Sequence, residues 1–163
     1  MPYKRKRKNK GILSQWKKSD MDFLATQAAV AVIQRVSTKG LGSDDKPLKK
    51  HKSFGKGKSY QGGAYSQSHG RLRDKGGKYG RIKIGGSLPV NKVTLSVTGR
   101  MLQQFRVIKT STRRFSASVG ATGGSKKYAK HVNALRPWIK LSENDKRIVT
   151  NIFRTLMARK ARR

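Results

Sequence analysis

Seven carboxylates, three histidines and no cysteine are what this 163-residue sequence offers to acid–base, nucleophilic or metal chemistry. Paired carboxylates act as acid and base only when they meet in a pocket. Four of the seven, Asp20, Asp22, Glu143 and Asp145, fall at the starts of expected helices, where the macrodipole favours negative charge. His51, His69 and His131 are widely separated, and none has a ligand partner one helical turn on. His131 reads as a strand-end or interface residue. Without cysteine there is neither a thiolate zinc site nor a disulfide framework. No Gly-x-Ser-x-Gly elbow follows a strand. Gly55-Lys56-Gly57-Lys58-Ser59 has the letters of a phosphate loop but neither the preceding strand nor the spacing. The residues therefore point to binding rather than catalysis, with no metal and no cofactor.

The chemistry that the sequence does supply is cationic. Forty Lys and Arg face those seven acids, for a net charge of +33. Repulsion at that charge penalises a compact isolated chain, so a polyanion is the expected partner. A basic footprint of this size is the mark of nucleic acid binding. The candidate contacts are Lys4, Arg5, Lys6, Arg7, Lys8 and Lys10 in an N-terminal arm, and Lys49, Lys50, Lys52, Lys56, Lys58, Arg71 and Arg73 in a later loop. Lys and Arg reach phosphate oxygens without reading sequence. Tyr60, Tyr65 and Tyr79 interleave with the loop's cations, a pattern that suits either base stacking or an intersubunit contact.

The elements that must position these residues form one domain, residues 19–163, behind a basic arm, residues 1–18. Hydrophobic content is 34%, so the core is expected to be small. No run approaches the roughly 20 apolar residues of a membrane span, and Gly11-Ile12-Leu13 is too short for a signal-peptide core. Trp16 interrupts the arm and is expected to dock on the domain. Ser19 can cap a first helix over Asp20–Thr38, in which Phe23, Leu24, Ala28, Val32 and Val36 recur near helical spacing and Gly40 marks the stop. Residues 40–89 read as a long irregular Gly/Lys-rich insertion, ordered by a partner. Val93, Leu95 and Val97 alternate as a short strand, and the period turns helical after Thr98-Gly99 at Met101, Leu102 and Phe105. Strands follow at Arg106–Thr110 and Phe115–Gly120. Ser142 caps a last helix, Glu143–Ala158, whose stripe is Ile148, Val149, Ile152, Phe153 and Leu156. The fold class is α+β: a small antiparallel sheet packed against two main helices, with the arm and the long loop extending from it.

A resemblance overlies this reading. The strand running into Thr98-Gly99-Arg100-Met101-Leu102 resembles the tailed-phage family of small tail-completion and head–tail joining (neck) proteins. Arg136-Pro137-Trp138, followed by Leu141-Ser142 and an acidic helix start, is similar to that family's C-terminal signature, and Tyr128-Ala129-Lys130-His131 to the segment before it. The order and rough spacing match over about the last seventy residues. Val132-Asn133 departs from the family's usual Phe-Gly step, and the arm and Gly-rich insertion have no counterpart there.

The resemblance implies a structural virion protein at the head–tail junction, assembled in the bacterial host cytoplasm. It implies a ring of copies, a hexamer or a multiple, around genomic DNA bound without sequence preference. Adjacent neck, portal-adaptor or tail-tube proteins would be its neighbours, and no membrane is involved. Composition alone fits a second class at least as well, a ribosomal-type RNA-binding protein with basic extensions. A capsid-lining or DNA-condensing phage protein is a weaker third.

Overall fold

The computed structural model describes residues 15–50, 58–79, 81–95 and 100–162. The expected arm contacts Lys4, Arg5, Lys6, Arg7, Lys8 and Lys10, the loop residues His51, Lys52 and Lys56, and the motif residues Thr98 and Gly99 lie outside them. The architecture is α+β. Helix α1 (Lys18–Gln34) runs into a wide turn at Arg35–Lys39. After a short helical turn at Tyr60–Gly62 come α2 (Gln67–Lys75) and a hairpin of β1 (Gly77–Tyr79) and β2 (Ile82–Ile84). One turn of helix, α3 (Arg100–Gln103), leads into a second hairpin, β3 (Phe105–Ser111) and β4 (Ser116–Ala121). Helices α4 (Ser125–Leu135) and α5 (Glu143–Ala161) complete the order.

Helix α1 is the central member, packed on β3, β4 and α5. Its buried face is Met21, Ala25, Ala28, Val32 and Val36, with Ala29 and Ala31 beside it. Those positions recur at three and four residues, the spacing of one helical face. The alanines leave no bulk between α1 and the hairpin, so the backbones approach closely. Phe23, expected in that stripe, is 48% exposed on the opposite side. The N-terminal cap also differs from expectation. Ser19 lies inside the helix, and the Asp20 carboxylate accepts from the Lys17 backbone N–H at 2.8 Å. Gly40 ends the helical run in the left-handed region (φ 67°), where a Cβ would lie 2.3 Å from the Val93 carbonyl oxygen. Only glycine combines that dihedral with that approach.

The core gathers Val32, Val36, Leu48, Tyr65, Val93, Met101, Leu102, Phe105, Val132 and Trp138. Trp138 is fully buried, with the Phe105 ring 5.2 Å away. Three expectations are corrected. The sheet has no third strand among the described residues: β3 pairs only with β4, and Val93–Leu95 is unpaired by any strand. The Tyr65 hydroxyl replaces the ladder there. It donates to the Thr94 carbonyl at 2.8 Å and accepts from the Thr94 N–H at 2.7 Å, so one side chain satisfies both backbone groups. Residues 40–89 are not one irregular loop, since they carry α2 and the β1–β2 hairpin. Residues Ser125–Leu135, including His131, form a helix and not a strand end, and His131 is exposed on it.

Helices α1 and α5 lie side by side with an ion pair at each end. Arg35 Nε meets Asp145 Oδ2 at 2.8 Å, and Lys160 Nζ meets Asp20 Oδ2 at 2.8 Å. Fifteen residues separate Asp20 from Arg35, and fifteen separate Asp145 from Lys160. At the helical rise that is about 22 Å on each member, so the two clamps match when the helices run antiparallel. Helix α5 starts as expected: Ser142 Oγ accepts from the Asp145 N–H and the Asp145 carboxylate accepts from the Ser142 N–H. Trp16 docks at the other end, stacked on Phe153 with centroids 5.4 Å apart and edge-on to Phe115 at 5.1 Å. Residues 15–18 thus belong to the folded unit. Among the described residues no helix is long and apolar enough to cross a membrane.

Candidate nucleic-acid interface

The electrostatic character of the surface is decided by where the acids are. All seven are engaged by neighbours. Asp20 takes Lys160 and the Lys17 N–H, and Asp22 takes Lys18 and the Thr110 hydroxyl. Asp44 accepts from the Lys46 N–H and Asp45 from the Asn144 N–H. Asp74 accepts from the Tyr60 hydroxyl at 2.8 Å, Glu143 pairs with Lys146, and Asp145 holds Arg35. Hydrogen bonds to the charged form lower a carboxyl pKa. The Lys160 ammonium accordingly holds Asp20 below its ordinary value, and Lys18 with Thr110 does the same for Asp22. Hydrogen bonding to Asp74 raises the Tyr60 phenol, so that ring stays neutral.

With the acids committed to turns, helix starts and clamps, the cations dominate the surface. Lys49, Lys50, Lys58 and Arg71 are exposed, as expected of phosphate contacts. Arg73 is not. It is fully buried, with Nε donating to the Pro89 carbonyl at 2.9 Å, Nη2 to the Thr94 hydroxyl at 2.7 Å, and the guanidinium 4.4 Å from the Tyr65 ring centroid. Burial lowers its pKa from the ordinary arginine range. It holds the loop before Val93 against α2 and is removed from the candidate interface. Tyr60 and Tyr65 are buried too, so neither stacks on a base nor faces a subunit. Their phenol hydroxyls serve Asp74 and Thr94 instead.

Several of the described residues that carry the family resemblance sit in the core or at helix ends. Arg100 opens α3, and Met101 and Leu102 are buried in the core. Arg136 donates from Nε to the Lys49 carbonyl at 2.8 Å. The Pro137 carbonyl accepts from the Ser43 N–H at 3.0 Å, Trp138 is buried, and Leu141 packs against the same core. Ser142 is the α5 cap. The Arg35 guanidinium ties this segment to α1 through the carbonyls of Leu41, Trp138 and Lys140 as well as Asp145.

Two clusters absent from the expected contacts stand out. Along α5, Lys146, Arg147, Thr150, Asn151 and Arg154 line a shallow surface depression with Glu143 at one end. These positions repeat at one helical turn and present cations and amide or hydroxyl groups together. The second is the β1–β2 hairpin, where Lys78 stands directly opposite Lys83 and Arg81 sits at the turn, all exposed. The signal for it was in the sequence: Lys78-Tyr79 and Ile82-Lys83-Ile84 alternate across a Gly80-Arg81 turn. Lys126, Lys127 and Lys130 add an exposed basic face on α4. His69 stacks on Tyr65 in α2, and burial and the nearby charges of Arg73 and Arg136 push its pKa down. No protein-family model matches this chain, and no curated protein or solved structure is significantly similar to it.

Proposed function

We propose that this chain is a non-enzymatic structural protein that works against nucleic-acid phosphate, as a ring subunit of a tailed-phage neck that lines the path of the genome between head and tail. The observation that carries the nucleic-acid part is the engagement of every carboxylate by the fold itself, which leaves a surface of cations in a chain of net charge +33. Exposed Lys and Arg bind phosphate weakly, reversibly and without sequence preference. A lumen through which DNA must slide needs contacts of that kind. The ring part rests on the resemblance and on the edges of two-stranded sheets, unpaired among the described residues, which ask to be covered. Phe23 and Val30 on α1 and Ile108 at 59% exposure on β3 supply apolar area for sibling or neighbour contacts. The virion junction is then its location, and neighbouring neck, portal-adaptor or tail-tube proteins are its partners.

The test is imaging of purified particles carrying a tag on this chain. Labelling at a single vertex, resistant to nuclease, supports the neck reading. Uniform decoration of the capsid, or absence from virions, removes it. Co-sedimentation with RNA that disperses on RNase treatment would replace it with the ribosomal-type alternative.

A further inference from the structure

We propose that the β1–β2 hairpin is a preformed phosphate-binding ribbon, with Lys78, Arg81 and Lys83 contacting the backbone of duplex DNA. The inference deepens the nucleic-acid reading above and rests on it. Its starting point is the register. Lys78 pairs directly with Lys83 across the ladder. Opposed like charges weaken a strand pair, and in a three-residue hairpin there is little else to hold it. Among the described residues no ion pair reaches Lys78, Arg81 or Lys83. Asp74, the nearest carboxylate in sequence, accepts from the Tyr60 hydroxyl.

The hairpin forms nonetheless because its base is built in. Gly76 (φ 77°) would place a Cβ 2.7 Å from the Ile84 carbonyl oxygen, and Gly86 (φ 84°) would place one 2.8 Å from the Gly76 nitrogen. The two glycines let the end of α2 and the end of β2 touch backbone to backbone. The outgoing chain then locks onto α2, with Ser87 N–H donating to the Asp74 carbonyl at 2.8 Å and Leu88 N–H to the Arg73 carbonyl at 2.9 Å. Ile84 is buried beneath. A rigid mount that holds cations together against their repulsion is preorganised for a polyanion, because the ordering cost is met before binding. Two strands lie about 4.8 Å apart, a ribbon narrow enough for the roughly 12 Å major groove of B-form DNA.

The experiment measures affinity of the full chain for a random-sequence DNA duplex as a function of salt. Each phosphate contact contributes about 0.9 to the slope of log K on log salt. The K78Q/R81Q/K83Q variant should therefore lose about 2.7 from the slope, with unchanged circular dichroism. The charge-preserving K78R/K83R variant should keep the wild-type slope. K39Q/K46Q/R113Q, which removes the same three charges elsewhere, should lose less than about 1, since only phosphate-contacting cations enter the slope. Equal losses in the two neutralised variants, or no loss in the hairpin variant, overturn the ribbon while leaving DNA binding intact. A loss seen on an RNA duplex and not on DNA overturns the ligand assignment. A wild-type chain that binds no nucleic acid at low salt overturns the functional reading as well.

Discussion

Replacement of Arg35 by alanine should be among the most damaging single changes in the domain. Arg35 is 4% exposed and its partner Asp145 3% exposed, so the pair at 2.8 Å is shielded from water. Removing one member of a buried pair leaves the other charged and unpaired, at about 3–5 kcal/mol. Arg35 also donates to the carbonyls of Leu41, Trp138 and Lys140. Stranding the buried Trp138 acceptor and the part-buried acceptors of Leu41 and Lys140 adds to the cost, so R35A belongs at the upper end, about 5 kcal/mol. A domain this size loses about 2–4 °C of Tm per kcal/mol, which predicts a fall of roughly 10–20 °C in thermal melts at moderate salt. D145N should cost less, about 3 kcal/mol, because the three carbonyls keep their donor. R35M/D145L removes both charges together and should recover part of the loss; measured against R35M and D145L as its own single variants, it should show a coupling energy of about 2 kcal/mol.

The opposite end of the clamp is the internal control. Asp20 and Lys160 have the same separation of 2.8 Å but are about a fifth exposed. Water screens such a pair, and D20N should cost no more than about 1 kcal/mol. The reasoning is refuted if R35A melts within a degree or two of wild type, if the double variant shows no coupling, or if D20N is as costly as D145N.

Y65F should destabilise by about 1–3 kcal/mol, because the Thr94 N–H loses its acceptor in a buried site; chemical denaturation with an unchanged m-value would confirm it. G70A should cost more than an ordinary helical Gly→Ala gains, since the new methyl would sit 2.2 Å from Tyr60 Cβ; the check is a lowered Tm in a protein whose α2 is otherwise intact. Stability should fall in two steps with acid. His69 has a folded pKa below its ordinary 6.5, so the unfolded chain takes the proton first and stability is lost as pH falls from about 6.5 toward the folded value. Asp20 and Asp22 are depressed below 3.8, so their contribution is present above that value and is lost below it. H69F, which keeps a ring against Tyr65, should abolish the first step and leave the second; a Tm flat from pH 7 to 5 in the wild type would contradict this.

The sequence announced the elements with strong local signals and hid those set by tertiary contacts. Helix α5 was legible because Ser142 and Asp145 form a capping pair before a periodic stripe, and the β3–β4 hairpin because its strands flank a polar turn. Val93–Leu95 misled because alternation reports burial, whereas a strand also needs a partner backbone, and a tyrosine hydroxyl took that place. Arg73 looked like a surface cation in a basic loop until α2 formed and turned it inward. The sequence also carries a subtler signal. Arg35 continues the buried stripe of Met21, Ala25, Ala28 and Val32, and Asp145 continues the half-buried apolar stripe of Val149, Ile152 and Leu156. Opposite charges that each fall on the apolar stripe of a helix are candidates for one buried pair between those helices.

That pair bears on why so basic a chain can fold at all. Uncompensated positive charge opposes compaction through self-repulsion, and seven carboxylates cannot neutralise forty cations wherever they are put. Scattered over the surface, they would each contribute a screened pair of little value. Most of them act where water is partly excluded or where a backbone N–H needs an acceptor: Asp20, Asp44, Asp45 and Asp145 accept from backbone N–H groups and Asp74 from the part-buried Tyr60 hydroxyl, while Glu143 stays in an exposed pair with Lys146. Most of the acids therefore serve the fold more than they mask the surface. A chain arranged in that way gains additional stability from any polyanion that binds its folded form better than its unfolded one. Folding and phosphate binding then draw on one charge distribution, and the hairpin, where opposed lysines are held by a glycine-built base, is where the two are most directly joined.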